Sequence, residues 1–368
     1  MDATRGPILF RCDGTPQHGW EPMYQCLSLA AALQRRRRGT HFLSYLEPLS
    51  LATVINRGNN DWQPAGEPLG SPGDLRATLA RARALNVAAI VLAGEGLTPD
   101  YITELKETGA LVVVFDSTAT TALPADILVN PLLAPGKKSF SVVPGCQRLF
   151  GHRFSLCRGV FRRQRTIRAT EPPTPYRVLV AVGDDDPVGD AVTRTRQLIE
   201  MEKVSKVSVA VRTHHPRYDE LLGLADASHG TIEILTENKE LMTRLVRVHL
   251  AVTAGDMWSP ELCVVGIPQL ILSQSTRHGL NGKKMDEEGV ATYLGHSADV
   301  SAEQLQEAVA AMLDDTMERK GMTRCARNMF DGRGPDRIVN GMEIILHTPA
   351  RRRAASALPA TLPFRAAA

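Results

Sequence analysis

Asp13, His18, Glu21 and Pro22 lie close together in the stretch from Ile8 to Ala30, ILFRCDGTPQHGWEPMYQCLSLA. The first three can move protons. A neutral imidazole near pH 7 suits a general base, and so does a carboxylate. Pro22 has no ionisable group and no N–H, so its use is to start a helix. The apolar run Ile8 to Phe10 is broken by Arg11, Asp13 and Gly14. A polar loop with Pro16, His18 and Gly19 follows, and then Met23, Leu27, Leu29, Ala30 and Leu33 return at helical spacing. This pattern predicts a strand, a loop and a helix. Open α/β sheets bind small ligands at such a place, outside a strand's carboxyl end and at a helix start. His18, Glu21 and Asp13 are the candidate catalytic residues. An ordinary loop histidine is the competing reading of His18.

A second signal lies in Ala251-Val-Thr-Ala-Gly-Asp-Met-Trp-Ser-Pro-Glu261, which runs into Gly266-Ile-Pro268. It reads as strand, glycine turn and helix. The turn is Gly255, Asp256 and Met257. A helix start after a glycine offers unpaired N–H groups to an anion such as a diphosphate. Glu261, inside that helix, can accept hydrogen bonds from both hydroxyls of a ribose. The alternative is a surface carboxylate after a plain turn.

These residues need a scaffold, and the chain alternates accordingly. The apolar runs Ala88 to Leu92 and Leu111 to Phe115 predict strands buried on both faces of a parallel sheet. Thr40 to Ser44 is a further strand. Met23 to Arg37, Gly73 to Ala84 and Pro99 to Thr108 are predicted helices, the last capped by Thr98. Residues 158–175, basic and then proline-rich, read as a linker. Alternation restarts with strands at Tyr176 to Val182, Val207 to Val211, Thr231 to Leu235, Val248 to Thr253, Gln269 to Leu272 and Ala291 to Leu294. Helices are expected at Asp190 to Glu200, Pro216 to Leu224 and Ala302 to Leu313, the last with a Ser301/Gln304 capping box. The expected fold is α/β, with two Rossmann-like doubly wound domains, 1–157 and 176–347, facing a cleft. Residues 348–368 read as a disordered tail.

Bulk properties exclude several function classes. The chain has 368 residues, a net charge of +3, 43% apolar and 23% charged residues. No strong field argues for nucleic acid or a membrane surface as partner. Six scattered cysteines show neither metal-ligand spacing nor a disulfide framework. No signal segment and no membrane-length apolar run stands out, so a cytoplasmic protein is expected. No metal or cofactor is expected. Arg35 to Arg38 read as the solvated last turn of the first helix. His214 and His215 are adjacent and point apart, which disfavours a shared metal.

Residue order brings a resemblance into view. Glu261, Gly266 and Pro268, followed by Ser273 to Gly282 and Glu287 to Ala291, resemble the E-x-x-x-x-G-x-P and E-x-G-x-A segments of sugar-nucleotide proteins of GT-B type. Phe10-Arg-Cys-Asp13 with Cys26-Leu-Ser-Leu-Ala30 resembles the opening of the UDP-2,4-diacetamido-2,4,6-trideoxy-β-L-altropyranose hydrolases of pseudaminic acid synthesis and the related spore-coat polysaccharide proteins. Ala125 to Asn130, Gly151 to Arg158, Val182 to Pro187 and Asp331 to Arg337 resemble later segments of the same family, in order. The resemblance implies a GT-B fold and a nucleotide-sugar ligand, UDP-linked or similarly activated. It implies nucleotide contacts from Gly183, Gly255, Asp256, Met257, Glu261 and His278. His278 then either donates to a phosphate oxygen or merely sits at a helix start. In that family a histidine ends a G-x-G-H loop and serves as base. Here the loop aligns with Gly19-Trp20-Glu21-Pro22, so Pro22 stands at the histidine position. The family's Gly-Gly-Ser turn is Gly183-Asp184-Asp185, and its acidic pair repels a diphosphate. Three readings remain: a divergent hydrolase or glycosyltransferase, an inactive sugar-nucleotide binder or scaffold, and a protein-interaction module.

Overall fold

The computed structural model describes residues 6–116, 121–133, 142–183, 185–236 and 239–348. Seven strands form the first sheet: β1 (Ile8–Cys12), β2 (Thr40–Ser44), β3 (Asp61–Pro64), β4 (Ala89–Ala93), β5 (Leu111–Phe115), β6 (Ile127–Asn130) and β7 (Gln147–Phe150). Six form the second: β8 (Arg177–Ala181), β9 (Lys206–Ala210), β10 (Ile232–Leu235), β11 (Leu250–Thr253), β12 (Gln269–Ser273) and β13 (Thr292–His296). The orders are β3-β2-β1-β4-β5-β6-β7 and β10-β9-β8-β11-β12-β13. Every pairing is parallel.

Strand order reverses between β1 and β4 in one sheet and between β8 and β11 in the other. At such a switch point neighbouring crossovers leave on opposite faces and open a crevice at the strand ends. Alternation along the strands feeds two cores per sheet. Ile8, Phe10 and Cys12 enter one core of the first sheet, and Leu9, with Ile90 and Leu92, enters the other.

The expected α/β architecture is observed, with the predicted strand and helix bounds shifted by up to three residues. The first helix runs Glu21–Arg35, with Pro22 in its first turn. Thr98 caps helix Pro99–Lys106 by accepting from the Tyr101 N–H, and the Ser301/Gln304 capping box is present. Strands β3 and β7 are short and carry little apolar pattern, and only the sheet identifies them, whereas β6 is a short, buried apolar run.

Three expectations need correction. Residues 158–175 contain helix Gly159–Ile167, whose Phe161 is fully buried against Trp258. Its arginines hid it, because Arg165 donates to the carbonyls of Arg327 and Phe330 instead of reaching water. Helix Gly334–Leu346, expected with the second domain, crosses back. Its Ile338, Val339, Met342 and Leu346 join the first domain's core. Arg38 departs from the expected solvated turn: it is buried and donates to Glu343 of that returning helix, while Arg35, Arg36 and Arg37 are exposed as expected, Arg35 and Arg36 donating to Asp336 and Asn340. Asp184 and the predicted tail beyond Thr348 lie outside the described residues.

Candidate functional site

The chain's two switch points face each other across the domains, and an open cavity of about 470 Å³ lies at the strand ends. Its walls carry Asp13 and His18 from the loop after β1, Glu21 and Pro22 from the start of the helix that follows, and Ala93, Gly94 and Glu95 from the end of β4. Phe115 and Asp116 follow β5, Leu132 follows β6, and Asp185 and Arg277 come from the second domain.

Asp13 is held by its neighbours. Arg11, fully buried in β1, donates to both Asp13 and Asp74 and to the Glu67 carbonyl. Asp13 also accepts from the backbone N–H of Tyr45 (2.9 Å) and Leu69 (2.7 Å). Asp74 accepts from the Gly70 N–H and from the Tyr101 hydroxyl, whose pKa burial and Asp74 push upward. A buried carboxylate with its oxygens so occupied is a positioning group: it fixes the loop Glu67 to Gly70 on the cavity wall.

His18 is exposed, and its Nδ1 lies 3.3 Å from the Thr15 hydroxyl. Gly19 follows at φ +75°, with Asp185 Oδ2 3.1 Å from where a Cβ would stand. Both the backbone angle and the close approach of the second domain require glycine there. Glu21 accepts from Gln25 at 2.8 Å and from Arg277 at 3.2 Å, an ion pair that joins the domains.

The second domain's expected ligand groups are together, though several are engaged. Gly183 (φ +95°) lies against Asp256, with 3.0 Å from Oδ2 to an added Cβ. Gly255 (φ +77°) lies equally close to the His278 carbonyl. Asp256 accepts from the Trp258 N–H at 3.1 Å and so caps the helix start that was expected to face a diphosphate. Burial pushes its carboxyl well up, and Glu21 and Asp185 add to the shift. Asp185 is raised in the same way, by burial and then by Glu21 and Asp186. Met257 packs into the first domain's core. His278 starts helix Thr276–Glu287 under the Ser275 cap, and burial lowers its pKa to about 4, so its ring is neutral.

Glu261 departs most from expectation. It is fully buried and accepts from the backbone N–H and Nε of Arg158, at 2.9 and 2.8 Å, and from Nη2. The Arg158 guanidinium lies over Phe161 and Trp258. Both carboxylate oxygens of the expected ribose acceptor are therefore bonded within the protein.

Sequence reasoning missed the contact between domains beside this site. Arg212 is buried 3.4 Å over the Tyr24 ring, and His214 meets Trp20 edge-on at 4.6 Å. Burial, then Arg212, lowers His214 to about 4. His215 points the other way and faces Asp186 at 3.5 Å. Asp186 caps helix Asp190–Ile199 by accepting from the N–H groups of Asp190 and Ala191. Among the described residues, no group of three His, Cys, Asp or Glu side chains is placed to hold a metal ion. No helix among them is long and apolar enough to cross a membrane.

Two facing Rossmann-like domains with paired switch points match known architectures. Acinetobacter baumannii MurG superposes with a TM-score of 0.63 at 13% identity, covering 92% of this chain and 99% of that one. The spinosyn rhamnosyltransferase SpnG superposes with a TM-score of 0.64 at 16% identity, covering 92% and 100%. The fold is GT-B. Residues 254–359 match the family described as erythromycin biosynthesis protein CIII-like, C-terminal domain. That stretch of the GT-B chain holds Gly255, Asp256, Met257, Glu261, Arg277 and His278. A third similar structure, the glycotransferase of kitacinnamycin, has a TM-score of 0.58 at 14% identity, covering 91% and 98%. No curated protein sequence matches the chain.

Proposed function

We propose that this GT-B chain binds a nucleotide sugar between its domains and moves the glycosyl group to a hydroxyl held by the first domain. The observation that carries this is the shared cavity: His18 and Glu21 of one domain and Asp185 and Arg277 of the other line a single space at both sets of strand ends. In the proposed reaction the bond from the anomeric carbon to the phosphate oxygen breaks, and a bond to the nucleophile's oxygen forms. The nucleophile's proton passes to His18, and the nucleoside diphosphate leaves. Arg277 is the cation suited to that leaving group.

The nucleophile is either water or an organic hydroxyl. Resemblance of the first loop to UDP-sugar hydrolases of nonulosonate and surface-polysaccharide synthesis supports water. An apolar wall of Leu69, Leu97, Phe115, Leu123 and Leu132 supports an organic acceptor, since water needs no such surface. Similar structures point the same way: SpnG has been solved with spinosyn aglycone and with thymidine diphosphate. We favour transfer.

One observation supports a second reading, a binder without catalysis. Glu261 is held by Arg158, and Asp256 already accepts from the Trp258 N–H at the helix start expected to face a diphosphate. Calorimetry with UDP, thymidine diphosphate and UDP-N-acetylglucosamine, followed by assay of released UDP, separates the cases. Binding with turnover supports the first reading, and binding alone the second. No heat at millimolar ligand removes both.

A further inference from the structure

The cavity's lining is mixed in character. Leu69, Leu97, Phe115, Leu123 and Leu132 give it apolar surface. Asp13, Glu21, Glu95, Asp116 and Asp185 give it carboxylates. Among the described lining residues Arg277 is the one arginine or lysine, and Glu21 pairs with it. Arg11 neutralises Asp13 from behind. With these two pairs set aside, and with Asp116 engaged in an interaction of its own, Glu95 on the first domain and Asp185 on the second are the lining carboxylates left to a ligand. Both side chains reach solvent there. Burying an anionic ligand among them costs Coulomb energy, whereas a cation gains it.

We propose that the cavity selects a largely apolar ligand that carries a protonated amine. The hydrocarbon body covers the leucine and phenylalanine wall, and the ammonium group sits at the carboxylate rim of Glu95 and Asp185. Apolar area supplies most of the affinity, and the charge supplies the choice among ligands of one shape. The inference deepens the proposed function by naming the acceptor's chemistry, and it rests on that reading only for the word acceptor. Cavity and charge pattern stand without it.

The test uses the full chain and three probes with one apolar body: adamantane-1-methylamine, adamantane-1-methanol and adamantane-1-carboxylate. Titration calorimetry at neutral pH and low salt reads their affinities. The expected order is amine, alcohol, carboxylate, with the amine about tenfold tighter than the alcohol, the scale of one partly screened charge pair. In the Glu95→Gln, Asp185→Asn double variant the amine falls to the level of the alcohol, while the alcohol is unchanged. Equal affinities, a preference for the carboxylate, or no binding of any probe at millimolar concentration overturns the proposal. These titrations contain no nucleotide, so their failure leaves donor binding standing. A failure of donor binding leaves the amine preference intact.

Discussion

Glu21 and Arg277 join the first turn of the first domain's leading helix to the first turn of a second-domain helix, with 3.2 Å between Oε2 and Nη2. Both residues line the cavity in which a diphosphate is proposed to lie. A phosphate entering the cleft competes with Glu21 for the guanidinium. Arg277→Gln is expected to weaken UDP binding by about tenfold, the scale of one charged hydrogen bond. Glu21→Gln is expected to strengthen it, because the competing carboxylate is gone. Calorimetry on both variants checks this, and weaker binding by Glu21→Gln would sink the competition.

His18 is exposed and makes one side-chain contact of note, to Thr15. His18→Ala should therefore leave the melting temperature within a degree or two. If His18 is the base, turnover of a nucleotide sugar falls by about 10²–10⁴-fold. Unchanged turnover in a folded variant moves the role elsewhere, with Glu21 next in line.

Glu261→Ala leaves the Arg158 guanidinium half-enclosed without its counter-ion. Removing one member of a buried pair costs about 3–5 kcal/mol. The variant should lose that much in urea unfolding, and the loss should be smaller for Glu261→Gln, which keeps one acceptor oxygen for the Arg158 donors. A stable Glu261→Ala protein that binds nucleotide less tightly would restore the ribose role.

His214 and His278 both have pKa values near 4 in the folded chain, against 6.5 when exposed, because burial disfavours the charged ring. In the range between those values the unfolded chain takes up protons that the folded chain does not. Stability from this source is therefore complete above pH 6.5 and declines as pH falls towards 4. Chemical denaturation across that range should show the decline, and it should be shallower in His214→Phe, His278→Gln.

Met342 sits fully buried in the first domain's core although it lies near the end of the chain. Met342→Ala is expected to cost about 2–5 kcal/mol. Unfolding followed by the fluorescence of Trp20 and Trp62 should report the loss in the first domain. A change confined to the second domain would contradict the packing seen here.

The strand-loop-helix at Ile8 to Leu33 was legible because an unbroken apolar run gives way, across a polar loop, to apolar residues at helical spacing. Buried parallel strands such as β4 and β5 were legible as unbroken apolar runs. Local chemistry also carries the caps at Thr98 and Ser301, since each depends on residues three positions apart. These features need no distant partner, and the sequence by itself determined them, along with the doubly wound α/β class.

What each charged side chain does was decided by tertiary structure. Asp13 reads as a candidate acid in a loop, and it becomes a holder of backbone because Arg11, Tyr45 and Leu69 converge on it. Glu261 reads as a ribose acceptor, and Arg158, about a hundred residues away, takes it first. Arg38 reads as part of a solvated run, and a helix from far along the chain buries it and supplies Glu343 as its partner. Apolar periodicity is a property of neighbours along the chain. An ion pair is set by which carboxylate and which cation the fold brings within a few ångströms, and sequence separation says nothing about that distance.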